Sequence, residues 1–331
     1  MAARDLRWQV LDGNEEATQP SLFDVPEREI GSGEFRGLEF LHVRARTIIN
    51  RVSPKSPVPF QYTINAYRGC AMGCLFCFAR PTHEYLNLDP ATEFDRVIVV
   101  KVNAVEKLRA ELAPRRWKGE HIAMGTNTDP YQRAEGKYRL TQGIIEVLGE
   151  ARNPFSILTK GTLVLRDLDR LVDAARRTNV ELCFSIGTLD EDVWRVTEPG
   201  TPHPRKRVEA VARLNEAGIP CGVLVAPILP GLSDRRDQLQ EVVRACVDAG
   251  APSISPVLLH LRPGVKEHYL GWLADARPEL LEQHRRLYPG SYAPRRDRDH
   301  ITQLVRDLVA HHRRSGGGTS SPRLSSRFDH A

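Results

Sequence analysis

Tyr67-Arg68-Gly69-Cys70-Ala71-Met72-Gly73-Cys74-Leu75-Phe76-Cys77-Phe78 decides how the rest of the chain is read, because three of six cysteines stand there at C-x3-C-x2-C spacing. Thiols this crowded call for metal. They are one short of the usual four ligands of a structural zinc site, yet they suit three irons of a 4Fe-4S cluster and leave the fourth iron open to a substrate. Zinc would need another ligand, for which His83 is the candidate. A disulfide is disfavoured, since three clustered cysteines cannot all pair and no apolar signal region precedes them.

The chain has 331 residues, 41% of them hydrophobic and 27% charged, which is enough to bury a full core in one catalytic domain with tails. Its 47 Lys+Arg and 42 Asp+Glu give a formal charge of +5, which permits nucleic-acid contact without requiring it. Met1 to Val10, with Arg4, Asp5 and Arg7, carries no apolar leader, and no run approaches the roughly 20 apolar residues of a membrane span. The expected compartment is the cytoplasm, where a cluster and free thiols survive. Cys183, Cys221 and Cys246 lie in apolar strand or helix patterns and are expected to be core residues.

Residues 1–45 are polar and are expected to form an extension packed loosely on the core. Phe60 to Asn65 reads as the first barrel strand, followed at once by the cysteine loop. Strand composition returns at Arg96 to Val102, with a helix marked by Val105, Leu108 and Leu112. The later strands are His121 to Gly125, Phe155 to Thr159, Glu181 to Ile186, Ile219 to Ile228 and Pro252 to Leu259. Helices are expected over Thr141 to Ala151, Arg166 to Arg177 and Pro204 to Ala217, and a further one capped by Ser233. Strands separated by helices imply parallel pairing with right-handed crossovers, in a barrel or a doubly wound sheet. About six strands follow the scheme. The core barrel is assigned to 46–275, helices to 276–312 with the last from about Arg298 to Ala310, and disorder to the Gly- and Ser-rich tail, 313–331.

The cysteine spacing, with Phe76 as the aromatic before the last cysteine, resembles the radical S-adenosylmethionine (SAM) superfamily. That resemblance implies an α/β fold, a partial (β/α)6 TIM-type barrel, with its chemistry at the C-terminal strand ends. It implies Cys70, Cys74 and Cys77 as ligands of a 4Fe-4S cluster whose free iron chelates SAM. A one-electron donor such as flavodoxin or ferredoxin would supply the reducing electron, and reductive cleavage of SAM would yield a 5′-deoxyadenosyl radical.

Polar residues fall where strands end: Asn127-Thr128-Asp129, Lys160, Ser185 and Glu198. Each also reads blandly, as a turn, a solvated loop residue or a strand terminator. Ile157-Leu158-Thr159-Lys160, Phe184-Ser185-Ile186, Glu198-Pro199-Gly200-Thr201, Lys206-Arg207-Val208-Glu209-Ala210 and Val225-Ala226-Pro227-Ile228 resemble the spore photoproduct lyase branch, also labelled DNA repair photolyase-like, over residues 60 to 260. The resemblance implies that Lys160 and Ser185 hold SAM, that Thr128 and Asp129 lie beside its methionine part, and that Phe76 and the backbone near Val225 flank its adenine. Gly125 lets backbone approach the cofactor closely.

Two positions depart from that lyase. It carries a cysteine three residues before the Asp and a tyrosine beside the last cluster cysteine, and together they return a hydrogen atom to the product radical. Here those positions are Thr126 and Phe78. The pattern from Phe78 to His83 and from Gly125 to Gln132 is more similar to an actinobacterial and proteobacterial subgroup of the branch. The expected function is a radical SAM enzyme whose substrate the sequence does not identify, with nucleic acid among the candidates. Its alternatives are lyase-type repair and a non-catalytic, zinc-stabilised nucleic-acid-binding module using Arg205, Lys206, Arg207, Arg295 and Arg296.

Overall fold

The computed structural model describes residues 8–10, 27–56 and 58–315. In chain order the strands are β1 (Trp8–Val10), β2 (Glu27–Ile30), β3 (Glu39–Ala45), β4 (Ile49–Arg51), β5 (Tyr62–Ile64), β6 (Tyr67–Arg68), β7 (Val97–Lys101), β8 (Ile122–Met124), β9 (Phe155–Thr159), β10 (Val180–Ser185), β11 (Cys221–Ile228) and β12 (Ile254–Leu258). The helices are α1 (Ala104–Leu112), α2 (Arg133–Tyr138), α3 (Leu140–Glu150), α4 (Leu168–Ala175), α5 (Glu191–Thr197), α6 (Pro204–Glu216), α7 (Arg236–Asp248), α8 (Val265–Ala276), α9 (Pro278–Leu287) and α10 (Arg295–Ser315).

Strands β5, β8, β9, β10, β11 and β12 run parallel in that spatial order, with β4 antiparallel on the far side of β5. Parallel neighbours need crossovers, which the intervening helices supply. The result is the expected partial (β/α)6 barrel.

The strand over Arg96 to Val102 departs from the expected order. It forms as β7, but β7 pairs with β3 in parallel and with β6 antiparallel in a second sheet, to which β1 and β2 add on the other edge of β3. All five residues of β7 are buried, so its composition suits a core strand of either sheet and carries no mark of its partner. The same sheet corrects the loose extension: Phe40, Leu41 and Val43 of β3 are buried.

Outward side chains of the barrel strands, among them Ile157, Phe184, Val223 and Val225, join Leu171, Val211, Leu214 and Val243 of the helices in the main core, with Cys221 and Cys246. Inside the barrel a small separate cluster joins Leu158, Cys183, Leu224, Ala226 and Val257. The alternation of a strand explains the split.

Asp190 caps α5 by accepting from the backbone N–H groups of Asp192 and Val193, and Pro204 starts α6 at a position where its missing N–H costs nothing. Ser233, expected to cap α7, instead accepts from Leu229 N at 2.9 Å and ties the loop after β11, and α7 begins at Arg236. Helix α10 sends Ile301, Val305 and Leu308 into the main core, and Arg313 at its end donates to the carbonyls of Ala251 and Pro252. It therefore continues past Ala310 through residues assigned to the tail. The remainder of the expected tail, 316–331, and most of the N-terminal extension lie outside the described residues.

Candidate active site

The cysteine loop leaves β6 at the C-terminal end of the parallel strands, where barrel enzymes place their chemistry. Cys70 and Cys74 are buried and Cys77 is half-buried. Three side chains and one neighbouring segment fix the loop. Arg80, 2% exposed, donates from Nε to the Cys74 carbonyl at 3.2 Å and from Nη2 to the Gly73 carbonyl at 3.3 Å, and pairs with Asp95 at 3.3 Å. Gln132 accepts from Ala71 N at 2.9 Å and donates to the Gly69 carbonyl at 2.9 Å, and Thr128 donates to that carbonyl at 2.6 Å. From the loop after α5, Gly200 N donates to the Met72 carbonyl, and Leu75 N donates to that of Thr197. A Cβ on Gly200 would stand 2.3 Å from the Ala71 oxygen, so only glycine allows that approach.

Gly125 turns the chain out of β8 at φ +86°, and a Cβ there would meet the Leu158 oxygen at 1.9 Å. The turn delivers Asp129 beneath the end of β9. Its carboxylate accepts from Thr159 Oγ1 at 2.6 Å, Tyr131 N at 2.8 Å and Lys160 N at 2.7 Å. Burial pushes the Asp129 carboxyl up despite these donors. Asp129 thus stitches two strand ends together.

Lys160, set by that stitch, reaches Glu198 Oε1 at 2.6 Å and lies 5.4 Å from the centre of the Phe76 ring. Glu198 Oε2 meets Arg207 Nη2 at 2.6 Å. Burial alone would raise the Glu198 pKa, but the Arg207 and Lys160 cations outweigh it and hold the carboxyl below its usual range. Ser185 donates to the Ala226 carbonyl at 2.7 Å, and Arg207 donates to the Ser185 carbonyl at 3.1 Å. Phe76, Thr128, Asp129, Lys160 and Ser185 are therefore joined to the cysteine loop through short bonded paths. The Val225 side chain points into the main core, so only its backbone can face the barrel mouth.

The donor set fits a cluster. Burial pushes the Cys74 thiol up to about 12, and raises Cys70 well above its ordinary value, with Asp129 and the other two cysteines adding to the Cys70 effect. Such thiols stay protonated unless a metal takes them, because coordination deprotonates the ligand. His83 does not join them. Its ring packs on Phe94 and its Nε2 bonds the Val97 carbonyl at 2.9 Å. Among the described residues no three His, Cys, Asp or Glu side chains converge on a single-ion site, whereas a cluster takes one thiolate at each of three corners.

Of the arginines expected to meet phosphate, Arg207 is withdrawn from the surface, while the others make exposed pairs. Arg207 is 1% exposed against Glu198, Arg205 pairs with Glu241, and Arg295 and Arg296 pair with Asp299 and Asp297. Gln132 and Arg80, which hold the loop, were not singled out by spacing. Both lie in the stretches that carry the subgroup resemblance, Phe78 to His83 and Gly125 to Gln132, but that resemblance gave neither a role.

Residues 64–246 match the Radical SAM superfamily. The chain belongs to that superfamily. It is a radical SAM enzyme with a family that implies SAM and an iron-sulfur cluster. An uncharacterized protein of Mycobacterium tuberculosis is 42% identical over 296 residues, covering 89% of this chain and 87% of the relative. An uncharacterized protein of Methanocaldococcus jannaschii is 30% identical over 197 residues, 60% of this chain and 70% of the relative. Among solved structures, spore photoproduct lyase complexed with dinucleoside spore photoproduct superposes with a TM-score of 0.61 at 17% identity, over 82% of this chain and 79% of that one. At that identity the radical SAM enzyme shares the lyase's fold. No helix among the described residues is long and apolar enough to cross a membrane.

Proposed function

We propose that Cys70, Cys74 and Cys77 hold a 4Fe-4S cluster and that the enzyme uses it to cleave SAM reductively. The observation that carries this reading is the three-thiol loop, with no fourth ligand among the described residues, clamped at the C-terminal mouth of the barrel by Arg80, Gln132 and the segment after α5. When bound, the cluster and SAM together supply a 5′-deoxyadenosyl radical that abstracts a hydrogen atom from the substrate.

The chain's own groups bind and orient. Lys160, held by Glu198, offers an ammonium to the SAM carboxylate or ribose hydroxyls. Ser185 spends its proton on Ala226 O and keeps its oxygen as an acceptor. Thr128 and Asp129 set the wall beside the methionine part, while Phe76 and the Val225 backbone flank the adenine. A lyase of the same fold has been solved with bound AdoMet and dinucleoside spore photoproduct, at a TM-score of 0.59 and 18% identity. Electrons would come from a flavodoxin- or ferredoxin-type donor.

Lyase-type repair is not favoured. Thr126 lies within hydrogen-bond distance of the Asn65 amide, at 3.3 Å from its Nδ2, and its O–H bond is too strong to donate a hydrogen atom readily. Phe78 has no O–H at all. The test of the proposed function is anaerobic reconstitution with iron and sulfide, followed by dithionite and SAM. Formation of 5′-deoxyadenosine is expected; stoichiometric zinc in the purified protein with no such product would overturn it.

A further inference from the structure

On the face opposite the mouth, at the N-terminal ends of the parallel strands, four neighbouring strands of the barrel are preceded by basic segments. Arg51 and Lys55 stand before β5, Arg115, Arg116 and Lys118 before β8, Arg152 before β9, and Arg176 and Arg177 before β10. All of them are exposed. The segments 51–61, 113–121, 151–154 and 176–179 contain a single carboxylate between them, Glu120. Of the cations, only Arg177 has a carboxylate partner among the described residues, Asp173 at 2.8 Å.

The segments form one rim. Ile122 N donates to the Pro154 carbonyl and Phe155 N to that of Asn179. Trp117 Nε1 donates to Asn153 Oδ1 at 2.7 Å, Asn153 Nδ2 to the Glu120 carbonyl at 3.0 Å, and Thr178 Oγ1 to the Arg152 carbonyl at 3.1 Å. The Trp117 ring packs edge to face with Tyr62 at 5.0 Å, which joins the start of β5 to the same rim. At about 4.8 Å between neighbouring strands, the four entries span roughly 15 Å.

Cations after helices are ordinary, because they meet the negative end of the helix dipole. Helix ends do not account for these. The loops before β11 and β12 follow helices too, yet 217–220 and 249–253 contain no Lys or Arg. Arg152 sharpens the contrast. Helices α3, α6 and α7 finish alike, with a residue in the left-handed region and the residue after it both donating to carbonyls of the last turns. Gly218 and Gly250 fill that place after α6 and α7, at φ +81° and +74°, whereas after α3 it is Arg152, at φ +52°. Glycine adopts this conformation without the steric cost of a Cβ, so an arginine there keeps a disfavoured backbone for the sake of its side chain.

We propose that this rim is a docking surface for the phosphate backbone of double-stranded DNA, bound without regard to sequence. A row of exposed, unneutralised cations attracts a polyanion through release of the polyanion's counterions. The surroundings narrow the partner. The exposed large hydrophobics among the described residues, Ile30, Phe78, Tyr85, Val196 and Tyr292, all lie off the rim. It therefore lacks the aromatic anchors of a protein interface, the apolar side chains that enter a membrane and the free rings on which an unpaired strand stacks. Loops pinned to one another suit a stiff duplex. The duplex would cross the floor of the barrel with the mouth turned away, so the rim tethers the enzyme, and the stretch it holds is not the one that meets the radical.

The experiment is fluorescence anisotropy with the full chain, its cluster reconstituted, against a labelled DNA duplex of arbitrary sequence and the same strand unpaired, with sedimentation on anionic phospholipid vesicles alongside. The duplex is expected to bind most tightly, with affinity that falls as salt rises. Arg116→Gln and Arg152→Gly should each weaken it about five- to tenfold at roughly 0.1 M salt and flatten the log–log salt slope by about 0.9, the share of one phosphate contact. Arg152→Gly should melt no lower than wild type, because glycine suits the position, and this separates lost binding from lost folding. Arg205→Gln, at the mouth end of the barrel, should leave affinity unchanged. No duplex binding at low salt, tighter binding of the single strand or the vesicles, or unchanged affinity in both Arg116→Gln and Arg152→Gly would each overturn the rim. The assay needs neither SAM nor reductant, and the rim variants should form 5′-deoxyadenosine at the wild-type rate. Duplex binding without that product would therefore sink the proposed function and leave the rim, and the opposite result would do the reverse.

Discussion

Glu198 and Arg207 meet at 2.6 Å with both side chains buried, and Lys160 shares the same carboxylate. One buried anion thus balances two cations at the point where the loop after α5, the end of β9 and helix α6 come together. Removing the anion leaves both cations desolvated and unmatched.

Glu198→Gln should therefore cost about 3–5 kcal/mol of stability, the range for breaking a buried pair from one side. The Glu198 pKa is depressed in the folded chain, so its contribution is present above the unfolded value and disappears as pH falls through the folded one. Denaturant titrations should show a constant gap between wild type and variant near neutral pH that narrows below 4.5. A gap that widened in acid would remove Glu198 from its assigned role.

Arg80 grips the carbonyls of Gly73 and Cys74 rather than any ligand atom. Loss of its buried charged hydrogen bonds should loosen the cysteine loop by roughly 1.5–3 kcal/mol each. Arg80→Gln is expected to reconstitute with all three cysteines present yet release iron to a chelator many times faster than wild type. Equal release rates would show that the loop holds its shape without Arg80.

The barrel was legible because the βα alternation is periodic and each parallel strand is an apolar run between polar loops, as at Phe155–Thr159 and Cys221–Ile228. Partner choice was not legible: Val97–Lys101 reads as a strand but joins β3, and nothing in five buried residues names the neighbour. The site divides the same way. C-x3-C-x2-C is local and announces itself, and the strand-end residues followed from the fold. Glu198 and Arg207 are nine residues apart in sequence and read as a strand terminator and a phosphate contact. Only folding brings them together, and burial, invisible in composition, turned a basic surface residue into a buried anchor.

Cys70→Ala, Cys74→Ala and Cys77→Ala should each abolish cluster assembly, because two thiolates hold it too weakly. Cys183→Ala, Cys221→Ala and Cys246→Ala remove buried thiols that belong to apolar clusters, and should leave iron content near wild type. Iron and sulfide analysis after anaerobic reconstitution checks both sets. A Cys74→Ala protein with a full 4Fe-4S spectrum would mean that the ligands lie elsewhere.

Lys160→Ala should weaken SAM binding about ten- to hundred-fold, equivalent to roughly 1.5–3 kcal/mol for one charged hydrogen bond. The cluster should remain, since the loop backbone is held by Arg80, Gln132 and Gly200 rather than by Lys160. Equilibrium binding of SAM to the reconstituted variant measures the change. An unchanged dissociation constant with intact iron would confine Lys160 to its ion pair.

With dithionite and SAM the enzyme should form 5′-deoxyadenosine yet show little or no repair of spore photoproduct in DNA. The expectation rests on Thr126, placed beside the Asn65 amide, and on Phe78, which lies against His260 and Arg262. Neither offers a weak S–H or phenolic O–H bond. Cys183 is the one thiol inside the barrel, in the cluster with Leu158 and Ala226, two residues before Ser185 on the same strand face. At 1% exposure it lies deeper than Ser185, so a substrate at the mouth would have to reach down to it. The assay therefore includes Cys183→Ala. Multiple-turnover conversion of the lesion to two thymines by the unmodified protein would refute the expectation, and loss of that activity in Cys183→Ala would identify the thiol as the hydrogen donor.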